Sequence, residues 1–229
     1  MKQHITPSAF SPEEIASIAA QLRKPEGNFG ETIANNMNAS NKKMILQTLA
    51  VLDAQADDHI LEIGMGSGLF VKNILNQSST IKYTGLDYSE TMVAMAKQIN
   101  QAFVKSKQAR FVCDNINAIS AVENQFNKIF TINTFYFWDD HAQVLQALKR
   151  VLKPEGVLII SVRPKHHLEK YPFTKHNFVK WSTSKITTFL QKNGFEEVEV
   201  TKIKEPVEKY RDELLQKETH IISCRKAGV

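Results

Sequence analysis

The chain has only two cysteines, nine glycines and seven prolines in 229 residues. Two thiols cannot build a disulfide scaffold, and so little glycine and proline excludes a collagen-like or low-complexity chain. Cys113 and Cys224 each lie in a run of strand character, which suits small buried hydrophobes in a reducing compartment. Long hydrophobic runs are also missing. The stretch Val157 to Ile160 falls far short of the roughly 20 apolar residues that a membrane helix needs, and residues 1–10 contain no apolar signal core. The expectation is an intracellular, cytoplasmic protein with no membrane partner. What remains, 42% apolar and 23% charged, is the composition of an ordinary globular protein able to bury one substantial core.

The net charge of +5 is unevenly spread. Residues 1–60 carry five basic and seven acidic side chains, whereas residues 161–229 carry fourteen and nine. Between Arg163 and Lys192, seven lysines and arginines face Glu169 alone, interleaved with Tyr171, Phe173, Phe178 and Trp181. Such a run attracts an anionic ligand or nucleic acid, although a solvated surface is its commoner role.

Ser11-Pro12-Glu13-Glu14 has a hydroxyl at N-cap, proline at the first helical position and glutamate three residues after the cap, which predicts a helix start. Arg23-Lys24-Pro25-Glu26-Gly27 stops that helix. A second helical pattern runs from about Glu31 to Leu52, so residues 1–55 read as a helical prefix, distinct from a globular unit over 56–229. Beyond it, apolar runs at His59–Ile63, Ile81–Leu86, Ala109–Cys113, Lys128–Ile132 and Gly156–Val162 alternate with helical patterns near Gly68–Asn76, Ser89–Asn100 and Asp139–Leu152. That alternation predicts βαβ units and a parallel sheet. After a helix near Ser184–Asn193, runs at Glu196–Ile203 and Glu218–Arg225 add two strands, joined by the polar stretch Lys204–Lys217. A hairpin-like antiparallel closure is expected there.

The first strand runs into Glu62-Ile63-Gly64-Met65-Gly66-Ser67-Gly68, at a strand's carboxyl end and just before a helix. Open α/β sheets bind ligands there, and glycines let the backbone approach one closely. A dinucleotide fingerprint would place glycine or alanine at the sixth position of G-x-G-x-x-G, where this chain has Leu69. That disfavours a nicotinamide oxidoreductase.

An acidic residue two positions before G-x-G-x-G resembles the first motif of the class I S-adenosylmethionine-dependent methyltransferases. Further features follow in that family's order. Asp87 closes the second strand and by resemblance would bind both ribose hydroxyls of the cofactor. Asp114, followed by Asn115 and Ile116, closes the third strand, where the family contacts adenine. Asn133 follows the fourth strand, where the family positions the methionine end and the acceptor. Leu152-Lys153-Pro154-Glu155-Gly156 is similar to the family's L-K-P-G-G turn, with Glu155 as a departure expected to matter little. The resemblance covers about residues 58–225 and implies a Rossmann-like, doubly wound, seven-stranded sheet, mostly parallel with an antiparallel last strand. It also implies that the N-terminal helices form a lid.

A sulfonium nucleoside needs a carboxylate for its diol, bare backbone near its amino acid and apolar walls for its base. Asp87, the loop of Gly64, Met65, Gly66 and Gly68, and Met92 with Ile116 supply these in turn; Tyr88 is a further candidate for the cofactor site. Glu62 would order the loop or bind the cofactor amino group through water. For the acceptor, Phe135, Tyr136 and Trp138 are candidate wall residues, because an aromatic run at this point makes a flat apolar site. Tyr136 and His141 are the candidate catalytic groups, needed only if the acceptor must lose a proton. Asn133 and Tyr136 keep the N-x-x-Y spacing of amino-methylating nucleic-acid enzymes, but both intervening prolines are missing. A small organic acceptor, aromatic or anionic, is therefore favoured over RNA, and a catalytically inactive cofactor-binding scaffold is the remaining alternative. The spacing of histidines and cysteines predicts no metal site.

Overall fold

A computed structural model describes residues 10–228 apart from 117, 118, 120, 121, 211 and 212. The first nine residues of the prefix, and two of the expected polar connection Lys204–Lys217, thus lie outside the described residues. In chain order the elements are α1 (Pro12–Arg23), α2 (Gly27–Leu52), β1 (His59–Ile63), α3 (Lys72–Leu75), β2 (Lys82–Asp87), α4 (Glu90–Ile99), α5 (Gln101–Lys105) and β3 (Ala109–Cys113). They continue with β4 (Phe126–Ile132), α6 (His141–Val151), β5 (Leu152–Val162), α7 (Lys165–Leu168), α8 (Thr183–Lys192), β6 (Phe195–Tyr210) and β7 (Glu213–Lys226). A single 3-10 turn, Phe135–Phe137, follows β4.

The seven strands form one sheet in the order β3-β2-β1-β4-β5-β7-β6. Neighbours from β3 to β5 are parallel, and β7 runs antiparallel to both β5 and β6. The order reverses between β1 and β4, and a doubly wound sheet opens a crevice at such a switch point, outside the carboxyl ends of its strands. Helices cover both faces, because parallel strands buried on two sides need apolar cover on each. On one face α2 and α4 contribute Leu49, Leu52, Val93 and Ala96 to a cluster built on Ile60, Tyr83, Phe130 and Ile159. On the other, α6 and α8 bring Val144, Leu148, Ile186 and Leu190 against Leu61, Ile129, Leu158 and Ile222.

Local chemistry sets the helix starts. Ser11 and Glu14 form the reciprocal capping box, Ser89 accepts from the Met92 amide, and Asp140 accepts from the amides of Ala142 and Gln143. The expected helix over 68–76 is a single turn, Lys72–Leu75, since the chain first makes tight i to i+3 turns from Gly68 and Phe70. The expected polar connection after residue 203 is largely strand: β6 and β7 pair from Phe195↔Lys226 out to Tyr210↔Glu213 as one long hairpin.

The prefix divides in two. The second half of α2 is part of the core, with Met44 and Leu52 buried and the Thr48 hydroxyl 2.7 Å from that of Ser161 on β5. Its first half and α1 lie over the carboxyl ends of the strands.

Candidate active site

β1 ends in a loop that only glycine can make. Gly64 has φ of +69°, and a Cβ built there would overlap the Thr134 side chain after β4. The Gly64 backbone thus lies directly against the Thr134 side chain, and a side chain at 64 would push the two apart. Gly66, at φ +57°, turns its N–H onto Asp87 Oδ2 at 3.0 Å. Ser67 Oγ accepts from Asn38 Nδ2 at 2.8 Å, which ties the loop to α2. Gly68 is different, because it packs against α4, where its carbonyl accepts from Asn100 Nδ2 at 2.9 Å.

Asp87 is the last residue of β2, and its other oxygen accepts from the Ser89 N–H at 2.9 Å. A carboxylate has about four lone-pair sites. The backbone donors of Gly66, Ser89 and Tyr88 take up most of these and leave the remainder for a ligand's hydroxyl. Burial raises the Asp87 pKa, opposed by those backbone donors. The Asp87 carbonyl in turn accepts from the Asp114 N–H at 3.1 Å, which sets the β3 end beside it. Beneath the loop, Tyr83 donates to Glu62 Oε2 at 2.5 Å. Desolvation, with a smaller contribution from the nearby Asp87 charge, pushes the Glu62 pKa up to about 7 although the Tyr83 hydrogen bond opposes it. Two carboxyl groups held largely out of bulk water, neither paired to a cation among the described residues, make a site suited to a positively charged ligand.

These groups open onto one cleft of about 1170 Å³. Glu62, Gly64, Met65, Gly66, Asp87 and Tyr88 form its floor and near side, with Met92, Asp114, Asn115, Ile116 and Asn133 beyond them. Leu22, Met37 and Ile45 of α1 and α2 make an apolar roof. That roof is fastened at three points: Tyr88 donates its hydroxyl to the Arg23 carbonyl at 2.7 Å, Ser89 donates to the Pro25 carbonyl, and the Gly27 N–H reaches Thr91 Oγ1 at 3.2 Å.

The aromatic segment after β4 splits between cleft and core. Phe137 and Trp138 line the cleft. Phe135 is 1% exposed and packs edge-on to His141 and Trp181. His141 lies flat on Trp181 with ring centroids 4.4 Å apart, and its Nε2 is 3.0 Å from the Phe135 carbonyl oxygen. Burial lowers the His141 pKa. The Tyr136 hydroxyl is also enclosed: it donates to Asn133 Oδ1 at 3.1 Å and accepts from the Arg163 N–H. Burial raises its pKa well above that of an ordinary phenol.

The chain's residues 61–160 match a family model described as a methyltransferase domain. An uncharacterized methyltransferase of Bacillus subtilis, YdaC, is 27% identical over 129 residues, 56% of this chain and 69% of that protein. Malonyl-[acyl-carrier protein] O-methyltransferase of Bacillus anthracis is 30% identical over 124 residues, 52% of this chain and 44% of that protein. The match over residues 61–160 and the methyltransferase relatives support a class I S-adenosylmethionine-dependent methyltransferase. Members of this family take their methyl group from S-adenosylmethionine. The fold agrees: a chain of the complex between the Haloferax volcanii Trm112 methyltransferase activator and a methyltransferase superposes with a TM-score of 0.74 at 17% identity, over 93% of this chain and 98% of that one. A Thermotoga maritima protein described as a possible histamine N-methyltransferase gives 0.64 at 20% identity, over 93% and 99%. Several of the curated relatives are longer, and the chain spans about half their length.

The structure brings together in one cleft every residue expected at the cofactor site except Gly68, which is a packing glycine. Of the residues expected around the acceptor, Trp138 lies on the cleft. Phe135 and His141 do not: the 3-10 turn sets Phe135 into the α6–α8 core and His141, opening α6, stacks on Trp181, while Tyr136 touches the cleft only through Asn133. Sequence reasoning missed Arg23, Asn38, Asn41 and Thr134. Asn38 and Asn41 carried a faint signal, as polar residues between Met37 and Ile45 on a helix face that is otherwise apolar. Among the described residues no helix is long and apolar enough to cross a membrane.

Proposed function

We propose that the chain transfers a methyl group from S-adenosylmethionine to a small organic acceptor, by in-line displacement within the cleft over the β1 and β4 ends. What carries the reading is the convergence on one cavity of a bare glycine backbone, the backbone-fixed Asp87 carboxylate, and apolar walls at Met92 and Ile116. When bound, the cofactor supplies an electrophilic methyl carbon whose bond to sulfur breaks as the acceptor attacks, leaving the electron pair on a neutral thioether. The protein's part is to hold both reactants at near-attack distance, which supplies about 7–11 kcal/mol of the barrier. Asp87 would take the ribose hydroxyls, the Gly64–Gly66 backbone and Asn133 the amino-acid end, Met92 and Ile116 the base, with Asp114 and Asn115 beside it. Glu62 would face the cofactor's positive charge, ordered by Tyr83. Neither candidate base is free at the cleft: the Tyr136 hydroxyl is held by Asn133 and the Arg163 N–H, and His141 is in the core, which favours an acceptor that is already nucleophilic.

The test is incubation with methyl-labelled cofactor and a metabolite extract, followed by separation by size. Label is expected in a small-molecule fraction and is expected to fall at least tenfold with Asp87→Ala, because two ribose hydroxyls lose a charged acceptor. Label in RNA, or label unaffected by Asp87→Ala, would overturn the acceptor class or the ribose assignment respectively.

A further inference from the structure

Beside the main cleft lies a second hollow of about 540 Å³. The two share four lining residues, Arg23, Phe137, Trp138 and Asp139, which form a partition between them. Arg23 Nη2 closes the partition by bonding Asp139 Oδ1 at 2.6 Å across 116 positions of sequence. The pair is open to solvent, at 31% and 70% side-chain exposure. Solvent-exposed pairs of that kind contribute little to stability, so exchanging Asp139 for another carboxylate costs little.

Between them stands Trp138. Its side chain is buried, and its indole Nε1–H meets no acceptor among the described residues. A buried donor left unpaired is costly and uncommon in folded proteins. The rest of the hollow is mixed, with Asn177 and Val179 beside the rings of Tyr136 and Phe178: Phe178 meets Phe137 edge to face at 4.6 Å between centroids and stacks on Tyr136 at 5.9 Å. The Val179 N–H bonds the Tyr136 carbonyl at 2.9 Å, which holds that wall in place. Lys175 and Lys180 flank the Asn177–Val179 wall in the chain, so the basic run found in the sequence raises the positive potential here.

We infer that this hollow is the acceptor subsite, and that it takes a flat, ring-bearing molecule whose carboxylate replaces Asp139 on Arg23 and accepts the Trp138 N–H. The inference rests on the methyl-transfer reading and names its acceptor class. Asp139 stands in for the acceptor's anion in the free protein. Arrival of the acceptor keeps Arg23 paired, satisfies the orphaned indole, and opens the partition so that the ring reaches the cofactor cleft. An arginine and a ring-walled slot together select an aromatic carboxylate over its neutral analogue.

The test is calorimetric titration of the protein saturated with S-adenosylhomocysteine, using benzoate and, as a neutral ring of similar size, benzyl alcohol. Benzoate is expected to bind saturably and at least tenfold tighter than benzyl alcohol. Arg23→Gln should abolish that preference, Asp139→Asn should tighten benzoate several-fold by removing its internal competitor, and Trp138→Phe should weaken it. Equal affinity for the two probes, no benzoate binding, or weaker or unchanged benzoate binding in Asp139→Asn would each overturn the subsite. If S-adenosylhomocysteine itself fails to bind, it is the methyl-transfer reading that falls.

Discussion

The two sides of the cleft are built by different means. The side at Gly64, Gly66 and Asp87 is made of backbone and of one carboxylate fixed by backbone donors, all at the ends of adjacent strands. The side at Arg23, Phe137 and Trp138 is made of side chains from α1 and from the loop after β4, more than a hundred residues apart in the chain. A backbone-built surface allows few substitutions and suits a ligand common to a whole family, whereas a surface built from side chains can change its ligand one residue at a time.

The contrast is broken most directly at Gly64. Gly64→Ala puts a Cβ both into the left-handed region and into the Thr134 side chain. It is expected to cost roughly 2–4 kcal/mol of stability from conformational strain and overpacking. Binding of S-adenosylhomocysteine should fall below detection. Adding Thr134→Ser, which removes the methyl group in the way, should restore part of both losses. If denaturant titration shows Gly64→Ala to be as stable as the parent, the close approach of β1 and β4 is not what the loop depends on.

A smaller effect sharpens the electrostatic half of the comparison. With its pKa pushed up to about 7, Glu62 binds its proton more tightly in the folded chain than in the unfolded one, whose value lies near 4.5. Its contribution to the free protein's stability is therefore full below pH 4.5 and is lost as the pH rises to about 7. A cationic ligand favours the ionised form, so cofactor binding near pH 6 should release protons, seen as a dependence of calorimetric heat on buffer ionisation enthalpy. Glu62→Gln should remove both the slope and the release. A release undiminished in that variant would place the titrating group elsewhere.

The smallest effect lies away from the cleft. Glu155 stands at φ +59° in the turn within β5, at a position where the related turn has glycine. The departure from L-K-P-G-G is thus not neutral, because a left-handed conformation costs a residue with a Cβ about 1–2 kcal/mol. Glu155→Gly should raise the thermal midpoint by a few degrees, less the entropy that glycine adds to the unfolded chain, and leave cofactor affinity alone. A lower midpoint would show that the Glu155 side chain repays its strain.

The backbone-built side was legible in the sequence, since glycine spacing and strand-end acids are local signals and the alternation of apolar runs fixes which strand ends meet. The side-chain-built half was legible only as composition. Four aromatics after β4 announced an apolar wall, but a 3-10 turn decides which of them face inward, and nothing in Asn133-Thr134-Phe135-Tyr136-Phe137-Trp138 announces that turn. Arg23 was read as part of a helix stop because its partner Asp139 is distant, and ion pairs between remote segments leave no periodic trace. The long hairpin was missed over residues 204–217 for a related reason. Polar alternation there resembles a solvated loop until Arg163 is seen reaching out to bind Glu205 and Thr219.

The position of β7 between β5 and β6 has a consequence for how the chain is made. When β6 leaves the ribosome it has no strand to join, for its one neighbour is still unsynthesised, and the apolar margin of β5 from Leu158 to Val162 stays uncovered until residues 220–225 emerge. An unpaired sheet margin recruits other chains. Nascent copies of this protein therefore pass through a late, adhesive interval, and slow translation between residues 162 and 220 would lengthen it.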